Sequence, residues 1–248
     1  MKEEEIHHLC KKYNIQNYTI NNDMSVDVED NVNLNDDKLT EIPFNFNKVN
    51  GYFDCSFNNL KTLKGCPKKV NSDFDCSHND LIDLNYCPSM IEGSMDCSNN
   101  KIQSLKESPE TLVSFHCDNN KLKDLYGSPK IIKHTFNCTF NKIKSFTGGP
   151  ERVGVNYSCS DNNIRSFDGF PKIELDSKIK HIIILSNPIV EIWNLFQNIE
   201  MIDYFNDLDI IQDNGNTIIL DRLNYFLNDI GKNEIISNDI RNYKVIVD

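Results

Sequence analysis

Residues 51–67 read Gly-Tyr-Phe-Asp-Cys-Ser-Phe-Asn-Asn-Leu-Lys-Thr-Leu-Lys-Gly-Cys-Pro, and related versions of this stretch follow it along the chain. The first cysteine of the stretch recurs at intervals of 21, 21, 20, 21 and 21 residues. The resulting column is Cys55, Cys76, Cys97, Cys117, Cys138 and Cys159. A fixed period of this length predicts a solenoid, in which each repeat forms one coil and stacks on its neighbours.

Other positions of the unit are as regular as the cysteine. A large apolar residue precedes each cysteine by two, and further apolar residues follow it by five and by eight. An asparagine follows each cysteine by three, giving Asn58, Asn79, Asn100, Asn120, Asn141 and Asn162. Because side chains alternate along a strand, the cysteine and the apolar residue before it should both face a core. The asparagine should hydrogen-bond backbone groups that the bend after the strand leaves unpaired.

Two degraded copies extend the array at its ends. The N-terminal copy is Val32, Leu34, Asp37, Leu39 and Ile42, with Asp37 in the place of the asparagine. The C-terminal copy, which follows a four-residue insertion, is Ile182, Ile184, Asn187, Ile189 and Ile192. With the six clear repeats these copies predict eight stacked parallel strands.

The unit apolar-x-Cys-x-x-Asn-x-Leu-x-x-Leu resembles the leucine-rich-repeat family, with cysteine in the place of the third leucine. The resemblance covers residues 32–192. It implies an α/β repeat solenoid with a parallel β-sheet on its concave face and an asparagine ladder. The short period and the proline that closes each unit predict mostly extended convex segments instead of helices. The unit is also similar to bacterial effector-type repeats and, more closely, to uncharacterised short-repeat proteins of phages and large DNA viruses, which implies a viral origin but no activity.

Both ends of the array are predicted to be capped. Residues 1–31 should form an N-terminal cap, with a helix over 3–13 and a hairpin over 17–32. Residues 193–248 should form a mostly helical C-terminal cap or subdomain. Its first helix is predicted to begin after Asn187-Pro188, a second run to follow from Met201, and a third to end at Gly231. A turn at 213–216 and a final strand over 243–247 complete this prediction.

Composition and charge narrow the classes of partner. The chain has 248 residues, 39% of them hydrophobic, which is enough for a sizeable core. A formal charge of -11 argues against nucleic acid or an anionic membrane as the main partner. There is no basic segment followed by an apolar run at the N-terminus, and no run of eighteen apolar residues. We therefore expect a cytoplasmic protein, in the host cytoplasm if the origin is viral.

The cysteines are expected to be core residues and not a chemical site. Zinc sites need close pairs of ligands, whereas the column follows the repeat. Cys66 and Cys87 differ, because they lie in the turn before the proline and one coil apart, so that they could pair under oxidation. No P-loop, nucleophile elbow or zinc-protease motif is present. The sequence therefore predicts no catalytic residue, no metal site and no cofactor.

The candidate binding surface is the outward side of the predicted strands, which would line the concave face. Neighbouring aspartates in one column repel one another at a strand spacing of about 5 Å, and a basic partner would relieve that repulsion. Aromatic residues beside them are typical anchors of interfaces. The selected residues are Tyr52, Asp54, Phe57, Asp73, Asp75, His78, Asp96, His116 and Phe140. The alternatives are that these residues are merely solvated, or that binding uses the convex face or the C-terminal cap.

These observations favour a non-catalytic protein-binding module whose partner has a basic surface. A structural component of a virion or another assembly is the alternative. A third interpretation, in which the repeats select substrates for an effector enzyme, is disfavoured. Repeat-bearing ubiquitin ligases, which are the model for that interpretation, use a reactive cysteine in a further domain, and no cysteine follows Cys159. The sequence leaves the oligomeric state open.

Overall fold

The chain winds into a β-solenoid of about seven turns, in a computed structural model that describes residues 1–171 and 181–247. One edge of every coil contributes a short strand to an eight-stranded parallel sheet, which confirms the predicted number of strands. The strands are Val32–Asn33, Phe53–Asp54, Phe74–Asp75, Met95–Asp96, Phe115–His116, Thr135–Asn137, Asn156–Ser158 and His181–Ile183. The predicted four-residue insertion falls before the last strand, outside the described residues.

A second series of strands forms the back of each coil. Tyr18–Ile20, Val26–Val28, Phe46–Val49, Lys69–Val70 and Met90–Ile91 make a five-stranded sheet, and Thr111–Leu112, Ile131–Ile132 and Arg152–Val153 make a three-stranded one. Between residues 13 and 171, all of which the structure describes, there is no helix. The prediction of extended back segments is therefore correct, but it missed that they pair into sheets.

The asparagine column forms a continuous ladder at the bend after each strand. The side-chain amide of Asn79 donates to the carbonyls of Cys76 at 3.2 Å and Ser77 at 3.1 Å in its own coil, and to Cys55 at 3.0 Å in the preceding coil. Its Oδ1 accepts from the amide of Leu60 at 2.9 Å. The other asparagines of the column, from Asn58 to Asn162, repeat this pattern, and Asn187 continues it after the insertion.

The first coil departs from this ladder. Asp37 was predicted to take the asparagine position, but its side chain is exposed. The backbone amide of Leu39 still follows the ladder pattern and donates to Oδ1 of Asn58 in the next coil, at 2.8 Å. An asparagine of this ladder donates through its amide to carbonyls of its own coil and of the coil before it, whereas the carboxylate of Asp37 can only accept.

The core is built from columns of identical positions. Phe53 stacks on Phe74 with ring centroids 5.8 Å apart, and Phe115 stacks on Phe136 at 6.0 Å. All six cysteines of the column are fully buried beside these rings. Burial raises the pKa of thiols such as Cys97 well above its usual range. A thiol of this kind stays protonated and packs as a small apolar group.

The N-terminal elements match the prediction. A helix, α1, spans Glu3–Lys12 and buries Ile6 and Cys10 in the continuous core. The hairpin strands Tyr18–Ile20 and Val26–Val28 pair antiparallel. The second of them also pairs in parallel with Phe46–Val49, so the hairpin supplies the first two strands of the back sheet.

The C-terminal segment contains helices where they were predicted and more sheet than was predicted. Helices α2, α3 and α4 span Val190–Phe196, Ile202–Asp207 and Leu220–Asp229, with 3-10 turns at Ile199–Met201 and Ser237–Asp239. Ile211–Gln212, Thr217–Ile219 and Lys244–Ile246 form a three-stranded sheet, because the turn at 213–216 closes a hairpin. Only the last of these strands was predicted.

This segment packs on the last coils through aromatic rings. Phe167 contacts Phe196 and Phe205, with ring centroids 5.8 and 5.6 Å away. Arg165 donates to the carbonyl of Asn242 at 2.9 Å, and the hydroxyl of Tyr243 donates to the carbonyl of Arg165 at 2.9 Å. The end of the solenoid is thereby joined to the C-terminal segment by both apolar and polar contacts.

Candidate interaction surface

The outward side of the eight-stranded sheet carries one sign of charge. We call it the acidic face and define it as the outward-pointing residues of segments 31–36, 52–57, 73–78, 94–99, 114–119, 135–140, 156–161 and 181–186. These segments contain no lysine and no arginine. Their aspartates are Asp36, Asp54, Asp73, Asp75, Asp96, Asp118 and Asp161.

Three of the predicted aspartates, with His116, form one column. Asp54, Asp75 and Asp96 lie in register on adjacent strands, and His116 lies in register with Asp96 on the next strand. All four are half-buried. Oδ1 of each aspartate accepts from the amide of the serine two residues later, at 2.9, 2.9 and 2.8 Å. The carboxylates therefore hold the strand-end turn as well as presenting charge, a structural role that the sequence prediction did not include.

Burial and neighbouring charges act on this column. Burial raises the pKa of Asp75 above its ordinary value of 3.8, and the carboxylates of Asp96 and Asp54 raise it further. Burial raises the pKa of Asp118 as well, with Asp96 contributing. The acidic face thus stores unfavourable electrostatic energy at neutral pH, which a positive charge placed against it would relieve.

Removing one charge from the column should stabilise the fold. Folding raises the pKa of Asp75, so the protonated side chain is favoured in the folded state. The contribution of Asp75 to the free energy of unfolding is therefore present in full below pH 3.8 and is lost as pH rises through the folded-state pKa. Asp75→Asn keeps an Oδ1 acceptor for Ser77, so we expect it to raise the free energy of unfolding by ~0.5 kcal/mol at pH 7. Urea denaturation at pH 7 and pH 4.5 should show the gain shrinking at the lower pH.

The chain itself contains the matched case for this substitution. Asn137 occupies the same column, and its Oδ1 accepts from the amide of Thr139 at 3.1 Å. A destabilised Asp75→Asn variant at pH 7, or a gain that is the same at both pH values, would contradict the electrostatic explanation.

The residues two after each cysteine were predicted to lie on the strands, and this prediction is wrong, because they lie in the bend that follows each strand. All six have left-handed backbone, with φ between 52° and 55°. They are Phe57, His78, Asn99, Asn119, Phe140 and Asp161. Asparagine and aspartate tolerate this conformation, whereas phenylalanine is unfavourable in it. The two phenylalanines are therefore retained at a conformational cost, and both are exposed, by 53% and 59%.

The predicted aromatic anchors lie at two separate places on the acidic face. The ring of Phe57 stacks on His78 with centroids 4.1 Å apart and an interplanar angle of 11°. Phe140 lies four coils further along, roughly 19 Å away at the spacing of neighbouring strands. The structure therefore brings Phe57 and His78 together and places Phe140 towards the other end of the acidic face.

Tyr52 and Asp73 lie at the corner between the two sheets. The amide of Tyr52 donates to Oδ1 of Asn31 at 3.0 Å, and its side chain is 36% exposed. Oδ1 of Asp73 accepts from the amide of Ser94 at 2.7 Å. Gly93 permits this contact, because a Cβ there would lie 2.4 Å from that oxygen. The carboxylate of Asp73 therefore stabilises the corner by this hydrogen bond, in addition to placing a charge on the acidic face.

The prediction missed Asp118. This residue is half-buried and its Oδ1 accepts from the side-chain amide of Asn137 at 2.8 Å. It stands at the position that Ser56 and Ser77 occupy in earlier coils, immediately after the cysteine. That departure from serine was a signal that alignment of the repeats could have revealed.

Across 1–171 and 181–247, no three His, Cys, Asp or Glu side chains are grouped so as to hold a metal ion. Within those ranges no helix has the length and apolar character needed to cross a membrane. Cys66 and Cys87 are both free, and the sulfur of Cys87 lies 3.8 Å from that of Met95. Comparison of the chain with protein-family models, with curated proteins and with solved structures finds no match.

Proposed function

We propose that this chain is a non-catalytic protein-binding module of the leucine-rich-repeat type. The acidic face would correspond to the concave face of such repeats, and residues 1–31 and 193–248 would cap the two ends. The parallel eight-stranded sheet and the asparagine ladder support the repeat type. The proposed partner is a protein segment rich in lysine or arginine, bound in the cytoplasm.

The observation that carries this proposal is the charge of the acidic face. Seven aspartates share this side of the solenoid without any lysine or arginine, and burial raises the pKa of Asp75 and Asp118. A basic segment would gain attraction from several carboxylates at once and would steer towards them at low salt. Exposed Phe57 and Phe140 supply apolar contact area beside the charges.

A triple substitution tests the charges directly. Asp54→Asn, Asp75→Asn and Asp96→Asn together keep the oxygen acceptors of the strand-end turns and remove three charges. We expect the Kd for a lysine- and arginine-rich peptide to rise by about 10- to 100-fold at low salt, the equivalent of about 1.4–2.8 kcal/mol. Fluorescence anisotropy with a labelled peptide measures this.

The matched control removes three charges elsewhere. Asp83→Asn, Asp124→Asn and Asp203→Asn change the net charge equally but lie outside the acidic face. This control should bind the peptide within about twofold of the unchanged protein. Equal weakening in both triple variants would mean that only net charge matters and that the face is not a site.

A second variant tests the aromatic contacts. Phe57→Asn with Phe140→Asn places in both positions the residue that Asn99 and Asn119 supply in the same column, so the left-handed backbone is retained. We expect folding stability to be kept and peptide affinity to fall. Retained affinity in this variant and in the triple aspartate variant together would overturn the proposed interface.

A further inference from the structure

Beside the acidic face, positive charge is concentrated on three consecutive return segments, 101–105, 121–125 and 142–146, whose charged residues are five lysines and Asp124. Five lysines lie on the return segments that follow the asparagine ladder, and we call them the lysine stripe: Lys101, Lys121, Lys123, Lys142 and Lys144. All five are exposed, and they alternate with buried residues such as Leu122 and Ile143. The net charge of -11 conceals this stripe, because it sums over the whole chain whereas these lysines are concentrated on three consecutive coils.

The lysine stripe is a stacked array and not a scatter of surface charges. The backbone amide of Lys121 donates to the carbonyl of Ile102 at 2.9 Å, and that of Lys142 donates to Leu122 at 2.8 Å. Successive lysines are therefore held one coil apart by hydrogen bonds. Lys101 forms an ion pair with Asp80 at 2.7 Å, whereas the other four have no ion-pair partner among residues 1–171 and 181–247.

The spacing of the stripe matches that of the acidic face. Both arrays advance by one coil of the same solenoid, about 4.8 Å for each step. The carboxylates of Asp54, Asp75 and Asp96 lie on adjacent strands in register. The carboxylates on the acidic face of a second copy are therefore spaced at the same interval as the ammonium groups of the lysine stripe. Phosphates in each strand of a nucleic-acid duplex advance by about 3.4 Å along the helix axis, which differs from this step.

We propose that the lysine stripe of one copy docks on the acidic face of a second copy. This proposal rests on the proposed function in using the acidic face as a binding surface, and it adds the occupant and the surface that the occupant presents. Because the two surfaces are different, the contact is heterologous, and a chain of copies can grow unless the rotation between neighbours closes a ring. Such growth is what a structural component of an assembly needs.

Charge reversal of the stripe tests the proposal. We expect the unchanged protein to self-associate at low salt in sedimentation velocity and to dissociate as salt screens the charges. Lys121→Glu, Lys123→Glu, Lys142→Glu and Lys144→Glu together should weaken self-association at least 10-fold. The control reverses four other exposed lysines, Lys11, Lys133, Lys232 and Lys244, and should self-associate like the unchanged protein.

The heterologous contact makes a directional prediction. A labelled copy of the stripe-reversed variant keeps its acidic face, so unchanged protein should still capture it although it does not associate with itself. Adding Asp54→Asn, Asp75→Asn and Asp96→Asn to the labelled copy should abolish that capture. Capture that survives the added substitutions would show that the acidic face is not the docking surface.

Two further results would overturn the proposal. One is a monomer at all protein concentrations at low salt. The other is binding of a single-stranded oligonucleotide that depends on the stripe, without stripe-dependent self-association. The peptide measurement separates this proposal from the proposed function. If the unchanged protein binds the basic peptide but stays monomeric, only self-docking is refuted. If the unchanged protein does not bind the basic peptide, the proposed function is refuted.

Discussion

Replacing Asn100 with alanine is expected to lower the free energy of unfolding by about 3 kcal/mol. Its amide donates to the carbonyls of Cys76, Cys97 and Ser98 at 3.0, 3.2 and 3.2 Å. Its Oδ1 accepts from the amide of Leu81 at 3.0 Å. Alanine removes all four of these hydrogen bonds from a buried site and takes away the acceptor of the Leu81 amide. The three carbonyls each keep a second donor, namely the side chain of Asn79, the side chain of Asn120 and the amide of His78. The cost should therefore lie at the upper end of the range for a buried hydrogen bond.

Urea denaturation followed by circular dichroism measures this loss. The adjacent Asn99 supplies the control, because it has left-handed backbone outside the ladder. Asn99→Gly removes the same amide and keeps that conformation accessible, so we expect it to cost less than about 1 kcal/mol. If Asn100→Ala were no more costly than Asn99→Gly, the ladder would not be a main source of stability.

Replacing Phe115 with alanine should have an even larger effect, a loss of about 3–5 kcal/mol. The ring is fully buried, stacks on Phe136 at 6.0 Å and lies in register with Met95 of the preceding strand. The strand of Phe115 is hydrogen-bonded to both neighbouring coils, and the back strand Thr111–Leu112 of the same coil is paired with the following coil, so the coils cannot close in on the vacated space. The variant therefore loses the burial of the ring and retains a cavity.

The same denaturation experiment has a control of the same residue type. Phe57 is exposed, and Phe57→Asn should leave stability unchanged within about 0.5 kcal/mol. A Phe115→Ala variant that unfolds at the same urea concentration as Phe57→Asn would mean that the aromatic column is not the core. Retained stability in the first variant with loss in the second would reverse the two roles.

Features within a single repeat could be predicted from the sequence, because they depend on local spacing. The period, the buried cysteine and the asparagine at the bend each recur at the same offset in six copies. The back sheet escaped prediction because strands such as Lys69–Val70 are two residues long and show no alternation. The left-handed column escaped it because Phe57 and Phe140 are unfavourable residues for that conformation.

The candidate surface was predicted only in part for the same reason. Asp54, Asp75 and Asp96 were placed correctly in one column, since the register follows from the period. Their bonds to the serine amides, and the 4.1 Å stack of Phe57 on His78, depend on how the chain leaves the strand. No pattern of residue types specifies that geometry.

The sequence by itself determined the coil, its core and the ladder that joins one coil to the next, because these repeat with a period that can be read along the chain. Only the tertiary structure decided where the charges lie. Winding brings residues about 21 positions apart to within about 4.8 Å, so that Asp54 meets Asp75 while Lys121 meets Lys142. A net charge of -11 thereby becomes an acidic face beside a lysine stripe, since electrostatic interaction depends on distance in space and not on separation along the chain.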